Sequence, residues 1–468
     1  MALWLWMAVA HADGGSFLPD ETGTAHRLAS LVGLFALLGI AWVFSENHRA
    51  VRWRPVIWGV CLQLLLGFVL LTPAVASLFY TVVDGAVQRL LSFSDQGAGF
   101  VFNTIEPHFV AMPGSGEPEL MVGRISPPLV NFAFTVLPTI IFFSALTSIL
   151  YHLGIMQVVV RGIAWVMTRT LGTSGAESLS AAGNIFVGQT EAPLLVRPFV
   201  ESMTRSELMA VMTGGFATVA GGVMGAYVSF LGGIPNIAGH LVLASIMSAP
   251  AALACAKVMV PETGEPRTGE SLDVELPSTA SNVLEAATQG ATDGMKLAIN
   301  VAAMLIAIVG LVAMVDWMFG FVPVTRCDEA WVLGYGCGEA GAGRAVALTD
   351  FFGVLFAPLA FLMGVPWSEC GEAGRLLGEK IVLTEFLAYA HLADLVNAEV
   401  PRISERTAVI CSYALCGFAN FASIGIQLGG IGGIAPSRVG ELASLGLRAM
   451  WAGMIAACMT GAVAGIVL

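Results

Sequence analysis

Apolar stretches of about 20 residues, each long enough to cross a hydrocarbon core roughly 30 Å thick, recur along the whole chain. They fall at residues 28–46, 53–73, 128–152, 207–231, 236–260, 296–320, 404–432 and 440–466. A soluble all-helical protein would need charge on its outer faces. Here 12% of the 468 residues are charged and 56% are hydrophobic, and the mean hydropathy is +0.81; a soluble domain is roughly 25% charged. The pattern predicts an all-α polytopic membrane protein with about eight transmembrane helices.

Charge and motif content exclude several functions. The net charge of −12 comes mainly from acids at 262–293 (Glu262, Glu265, Glu270, Asp273, Glu275, Glu285 and Asp293). No basic stripe points to nucleic acid. The eight cysteines form no CxxC and have no His-rich surroundings, which argues against zinc and redox motifs. A GxxxxGK[ST] phosphate loop is absent, so ATP hydrolysis is not expected.

Orientation follows from the loops. "SENHRAVRWRP" carries Arg49, Arg52 and Arg54 between the first two spans and reads as cytoplasmic. The next loop, with Glu106, Glu117 and Glu119, suits the periplasm, and eight crossings leave both termini outside. Arg402 and Arg406 then fall on the outer side, against the rule. Residues 2–12 resemble a signal core without a basic n-region, readable as a cleaved segment or as an apolar tail. Cys327 and Cys337, in a Gly-rich outer loop, would pair or stay as two thiols.

Three segments do not fit simple spans. Residues 154–170, with Arg161 and Arg169, read as an interfacial amphipathic helix. Residues 175–200 and 371–397 are interrupted at their centres by "GQTEAP" and "LTEFLAY". Each is too polar for lipid and too short for two crossings, and suits a re-entrant hairpin buried in protein or lining a cavity.

The two hairpins belong to a repeat. "GFATVAGG" at 215–222 is answered 202 positions later by "GFANFASI" at 417–424. "TRSELMAV" (204–211) and "RISERTAV" (402–409) precede the two copies, and Thr190-Glu191 and Thr384-Glu385 lie further upstream. Three crossings separate the units, so the second is inverted, as in secondary transporters whose site lies at the repeat interface. The spans 207–231 and 404–432 carry Gly214, Gly215, Thr218, Gly221 and Gly222, and Gly417, Asn420, Ser423 and Gly425. Such residues either unwind a helix and free carbonyls for a cation or allow close packing.

Glu191 and Glu385 occupy matching hairpin tips, and an intramembrane carboxylate marks a pathway or binding site. With Gln189 and Thr190 they suit a neutral solute offering many hydrogen bonds. No Arg or Lys lies within the tips to clamp an anion; Lys380 is nearest.

These residues resemble the concentrative nucleoside transporter family, in particular its bacterial members. The signature is Gly378-x-Lys380-x-x-x-Thr384-Glu385-Phe386-Leu387-Ala388-Tyr389, close to the family's (G/A)-x-K-x-x-x-N-E-F-V-A-(Y/M/F). "GNIFVGQTEAPLL", "LPTIIFFSALTSILYHLGIMQ", "FAPLAFLMGVPW" and "CGFANFASIGIQLGGIGGIAP" also look like family segments, and the resemblance covers about residues 28–466. It implies a homotrimer in the inner membrane, each protomer moving nucleoside by an elevator-like motion. By that resemblance Gln189, Thr190 and Glu191 would contact the base, with Val223 near it. Glu385, Asn420 and Ser423 would hold ribose hydroxyls, and Phe418 would pack on the nucleoside. A Na+ ion, serving as coupling ion and not as a resident cofactor, would take Asn184, Val187, Thr218 and Val219. All-oxygen ligation of this kind fits a hard monovalent cation. Thr384 and Leu387 depart from the motif's Asn and Val, which puts hydrogen bonds in the second hairpin in doubt.

The resulting division is an N-terminal segment 1–25, scaffold helices 26–153, a first repeat 154–260, a connecting region 261–346 and a second repeat 347–468. Rival readings are H+ coupling, another neutral polar cargo such as a nucleobase or sugar, and an intramembrane enzyme using Glu191 and Glu385. The enzyme reading lacks a neighbouring nucleophile or metal set.

Overall fold

The computed structural model describes residues 23–71, 73–102, 104–111, 118–126, 132–268, 280–319, 321, 324–327, 330–333, 344–345, 347–398 and 402–468. Segment 1–12 and Cys337, and with it the Cys327–Cys337 question, lie outside them.

The chain enters through α1 (Thr24–Val43), α2 (Trp53–Leu71) and α3 (Pro73–Phe102). The antiparallel pair β1 (Thr104–Ala111) and β2 (Pro118–Ser126) follows. Next come α4 (Leu137–His152) and α5 (Ile155–Leu171), bent 79° to each other at Gly154, whose φ of +79° glycine adopts at no steric cost. This is the helix expected at 154–170, turned out of the spanning direction. Helix α3 was not expected; Asp84, Arg89 and Asp95 break its apolar pattern. It is held from outside, with Asp84 Oδ1 accepting from Gly239 N at 3.0 Å.

The first hairpin consists of α6 (Gly175–Asn184), a 3-10 turn over Ala192–Val196 and the one-turn α7 (Arg197–Val200). Pro193 and Pro198 remove two amide donors from the returning arm, which stays short and irregular. The first broken helix follows as α8 (Arg205–Ala217) and α9 (Gly221–Phe230), then α10 (Ile237–Met259). Capping boxes start α6 at Ser174 with Glu177 and α8 at Thr204 with Glu207.

Helix α11 (Val283–Phe319) begins well before the expected 296–320 span. Strands β3 (Val324–Cys327), β4 (Ala330–Leu333) and β5 (Arg344–Ala345) form a small antiparallel sheet in the order β4-β3-β5. The second half then retraces the first. It runs through α12 (Leu348–Leu362), the hairpin α13 (Cys370–Val382) and α14 (Glu385–Val396), the broken helix α15 (Glu405–Leu415) and α16 (Phe421–Ile434), and α17 (Val439–Val467). Ser404 caps α15 as Thr204 caps α8.

Among the described residues, five helices are long and apolar enough to cross a membrane, six if α4–α5 is one span. Taking α4 alone as the crossing of that bent pair, and adding α2 and the broken pair α15–α16, whose interruption divides its apolar run, gives the eight expected crossings.

The glycines divide between unwinding and packing. Gly417 lies in the second break with φ +114°, where a Cβ would stand 2.5 Å from the carbonyl oxygen of Phe216. Gly215 lies inside α8, so the two Gly-Phe-Ala strings are out of step in the structure. Gly453 on α17 lets that helix lie directly on Phe216. Arg406, one of the two exceptions to the orientation rule, is buried and donates to the carbonyls of Gly364 at 2.7 Å and Gly465 at 2.5 Å. It closes helix ends and so is no guide to which side is cytoplasmic.

Candidate functional site

The two breaks, at 218–220 and 416–420, meet between the hairpin tips. Each break leaves backbone groups without intrahelical partners. Lys380, buried on α13, takes up two of them, donating to Ala414 O at 2.9 Å and Cys416 O at 3.2 Å. It braces the end of α15. Asn420 caps α16, its Oδ1 accepting from Ser423 N at 2.8 Å. Thr384, at the motif's Asn position, caps α14 by accepting from Leu387 N at 3.3 Å. Asn and Thr both cap helices well, so the departure keeps this local bond.

A continuous hydrogen-bonded chain joins four elements here. From the first tip, Gln189 Nε2 donates to Ser423 Oγ at 3.1 Å. Ser423 is tied through its backbone to Asn420, whose Nδ2 donates to Glu385 Oε2 at 2.8 Å. Tyr227 on α9 donates to Glu385 Oε1 at 3.1 Å. All five side chains are buried. Glu385 stands in the first turn of α14, where free N–H groups and the helix dipole favour a carboxylate. Tyr227 is held in turn by Tyr389, stacked on it at 4.3 Å, whose hydroxyl donates to Ser412 O at 2.8 Å.

Gln189, Glu385, Asn420 and Ser423 are thus brought together as expected from the sequence. Phe418 lies half-buried in the second break, and Val223 is buried in the first turn of α9. Thr190 packs against Gly430, where a Cβ would meet its Cγ2 at 2.7 Å. Glu191 behaves differently. It is exposed, and its Oε2 accepts from Gly188 N of its own turn at 3.1 Å.

Two members of the cluster were not singled out from sequence: Tyr227 and Gln427. Gln427 Nε2 donates to Gln189 Oε1 and to Met212 O, both at 3.1 Å. Each has a sequence signal in hindsight. Tyr227 stands four residues after Val223 and Gln427 four after Ser423, so each shares a helix face with a site residue.

Beside this chain lies a second group of buried polar atoms. Asn184 is fully buried at the end of α6, and neither atom of its amide has a hydrogen-bond partner. It packs on Gly214, where an added Cβ would stand 3.0 Å from its Nδ2. Thr218 donates to Gly214 O at 2.8 Å and keeps its lone pairs. Gly221 N donates to Phe186 O at 2.9 Å, fastening the turn that holds Val187 to the break that holds Thr218 and Val219. Among the described residues no group of three or more His, Cys, Asp or Glu could hold a metal. Asn184 and Thr218 thus both meet Gly214, while Val187 and Val219 adjoin the backbone bond between Phe186 and Gly221.

Paired broken helices meeting between two hairpin tips, in a chain of apolar spans, define a helical membrane transporter. Family models described as "Na+ dependent nucleoside transporter" match at residues 32–105 (N-terminus) and 240–465 (C-terminus), and one described as "Nucleoside recognition" matches at 133–234. The chain belongs to the concentrative nucleoside transporter family.

An uncharacterized Bacillus subtilis transporter, YutK, is 41% identical over 94% of this chain and 99% of its own length. Human solute carrier family 28 member 3 is 38% identical over the whole chain, which spans 62% of that relative. Rat sodium/nucleoside cotransporter 1 is 39% identical over the whole chain and 68% of its own length. CNTnw in an inward-facing substrate-bound state is similar at 38% identity with a TM-score of 0.80, covering 94% of this chain and 98% of that one. A CNTnw variant in an outward-facing state gives 37% identity and a TM-score of 0.81, over 95% and 98%.

Proposed function

We propose that this protein is a Na+-coupled symporter that imports nucleosides across the inner membrane by elevator-type alternating access. The observation that carries this reading is the buried chain from Gln189 through Ser423 and Asn420 to Glu385. It holds amide and hydroxyl donors at one end and a carboxylate at the other. Glu385 accepts one bond on each oxygen and retains lone pairs for the vicinal hydroxyls of a ribose. Gln189 and Thr190 face a base edge, with Glu191 able to join them once its turn rearranges, and Val223 and Phe418 supply apolar contact.

Coupling follows from adjacency. Asn184 and Val187 lie immediately upstream of Gln189 on the same hairpin. A Na+ ion held by Asn184 Oδ1, the Val187 and Val219 carbonyls and Thr218 Oγ1 orders the turn that presents Gln189. Ion and nucleoside then bind with a shared coupling free energy, typically about 1–3 kcal/mol. Both hairpins and both broken helices form the moving part, α4 and α11 form the scaffold of a homotrimer, and both termini lie on the periplasmic side. The inward- and outward-facing states named for CNTnw support alternating access.

Uptake of labelled uridine and adenosine into proteoliposomes tests this. An inward Na+ gradient should raise initial uptake about tenfold over choline, a coupling of roughly 1.4 kcal/mol. Uptake following a pH gradient instead would move the coupling to H+. Uptake of free bases without nucleosides would change the cargo, and no Na+-stimulated nucleoside uptake at all would overturn the proposal.

A further inference from the structure

We propose that Gln427 is a positioning residue: it fixes the amide orientation of Gln189 and thereby sets the hydrogen-bonding face offered to the base. The inference rests on the nucleoside reading above. Gln427 is fully buried on α16, and its Nε2 lies 3.1 Å from both Met212 O and Gln189 Oε1. A backbone carbonyl only accepts, so the Gln427 atom facing Met212 has to be the NH2 group. Its second N–H then requires an acceptor, which turns Gln189 so that its oxygen faces Gln427. The Gln189 NH2 is left facing Ser423, 3.1 Å from its Oγ. One rigid carbonyl thus dictates, through two amides, which end of Gln189 looks into the site.

Gly215 makes room for the arrangement. A Cβ there would stand 2.8 Å from both Gln189 Cβ and Gln427 Nε2, so the two side chains cross over bare backbone. One N–H of Gln189 goes to Ser423, and the other is free for the substrate. Ser423 Oγ, already accepting, keeps its own proton to give. This corner of the site therefore donates and Glu385 accepts. The matching solute carries an acceptor, a carbonyl oxygen or ring nitrogen, on its base edge and donating hydroxyls on its sugar.

The test measures uridine uptake by wild type, Gln427→Leu, Gln427→Met, Gln189→Leu and the Gln189→Leu/Gln427→Leu double variant. Monodisperse elution serves as the folding control. Freed from Gln427, the Gln189 amide reverses so that its oxygen accepts from the Ser423 hydroxyl; with that reversed orientation favoured by about 1.4 kcal/mol, about one-tenth of the protein stays competent and the uridine KM rises about tenfold. The maximal rate and the Na+ half-saturation should stay within about twofold, because the hydrogen bonds of Gln427 go to Gln189 and Met212 and to none of Asn184, Val187, Thr218 or Val219. In the Gln189→Leu background, Gln427→Leu should add less than about twofold, since its effect passes through Gln189. Factors that multiply in the double variant, or an unchanged KM in folded Gln427→Leu and Gln427→Met, would overturn the inference. If Gln427→Leu elutes as aggregate, Gln427→Met, which keeps the length of the side chain, decides alone. Should both aggregate, Gln427 acts as a folding residue and the inference also falls. A wild type that takes up no uridine defeats the nucleoside reading itself, an outcome visible before any variant is compared.

Discussion

Asn184 shows how a single residue signals function through energy. Burying an amide without partners costs about 1–3 kcal/mol per unsatisfied group, yet both polar atoms of Asn184 are buried and unpaired. A cation at Oδ1 offsets that cost only when bound. Asn184→Ala should therefore be at least as stable as wild type without Na+. It should lose the rise in melting temperature that Na+ confers on wild type, and its half-saturating Na+ concentration for uptake should rise about tenfold or more, each tenfold being about 1.4 kcal/mol. An unchanged Na+ response would remove Asn184 from the cation site. Glu191 gives the opposite lesson. Its match with Glu385 is plain in sequence, yet its carboxylate turns back to the amide of Gly188, three residues earlier in the same tip.

Among the elements, the broken helices depend on the contact between the two breaks. Gly417 combines a left-handed φ of +114° with a backbone approach that leaves no room for a Cβ. A left-handed conformation costs an L-residue about 1–2 kcal/mol before any clash. Gly417→Ala should lower the melting temperature markedly and abolish uptake. Gly425, in α16 with nothing within 4 Å of its would-be Cβ, is the control. Gly425→Ala should match or slightly exceed wild-type stability, since alanine gains about 1 kcal/mol over glycine in a helix. Equal losses in the two variants would show that the break has no special geometry. Much of this scale was legible in the sequence. The cap residues Thr204 and Ser404, the prolines after Glu191 and the apolar run lengths all act on their immediate neighbours. Helix α3 was not legible, because its contact with α10 through Asp84 spans 155 positions.

For the whole molecule, α11 carries a large exposed apolar surface of the kind that lipid or a second copy of the chain would cover. That helix has 37 residues and at 1.5 Å per residue is about 55 Å long, well beyond a hydrocarbon core of roughly 30 Å. It exposes Ile299, Ile306, Leu311, Met314 and Trp317. The trimer implied by the family resemblance would cover part of that face. Light scattering of the detergent-solubilised protein, corrected for bound detergent, should give a protein mass three times 48.9 kDa. A monomer at that single mass would remove the trimer from the proposal.

The sequence by itself determined the membrane class, the hairpins and their tips, the repeated order of elements and, through motif resemblance, the family. These follow from hydrophobic runs, caps and short motifs, which act over a few residues. Only the tertiary structure decided which polar groups meet. Gln189 reaches Ser423 and Gln427 across 234 and 238 positions, and Tyr227 reaches Glu385 across 158. Such pairings are set by how two broken helices cross at Gly417 and Gly215, and a crossing has no counterpart in the order of residues along one chain.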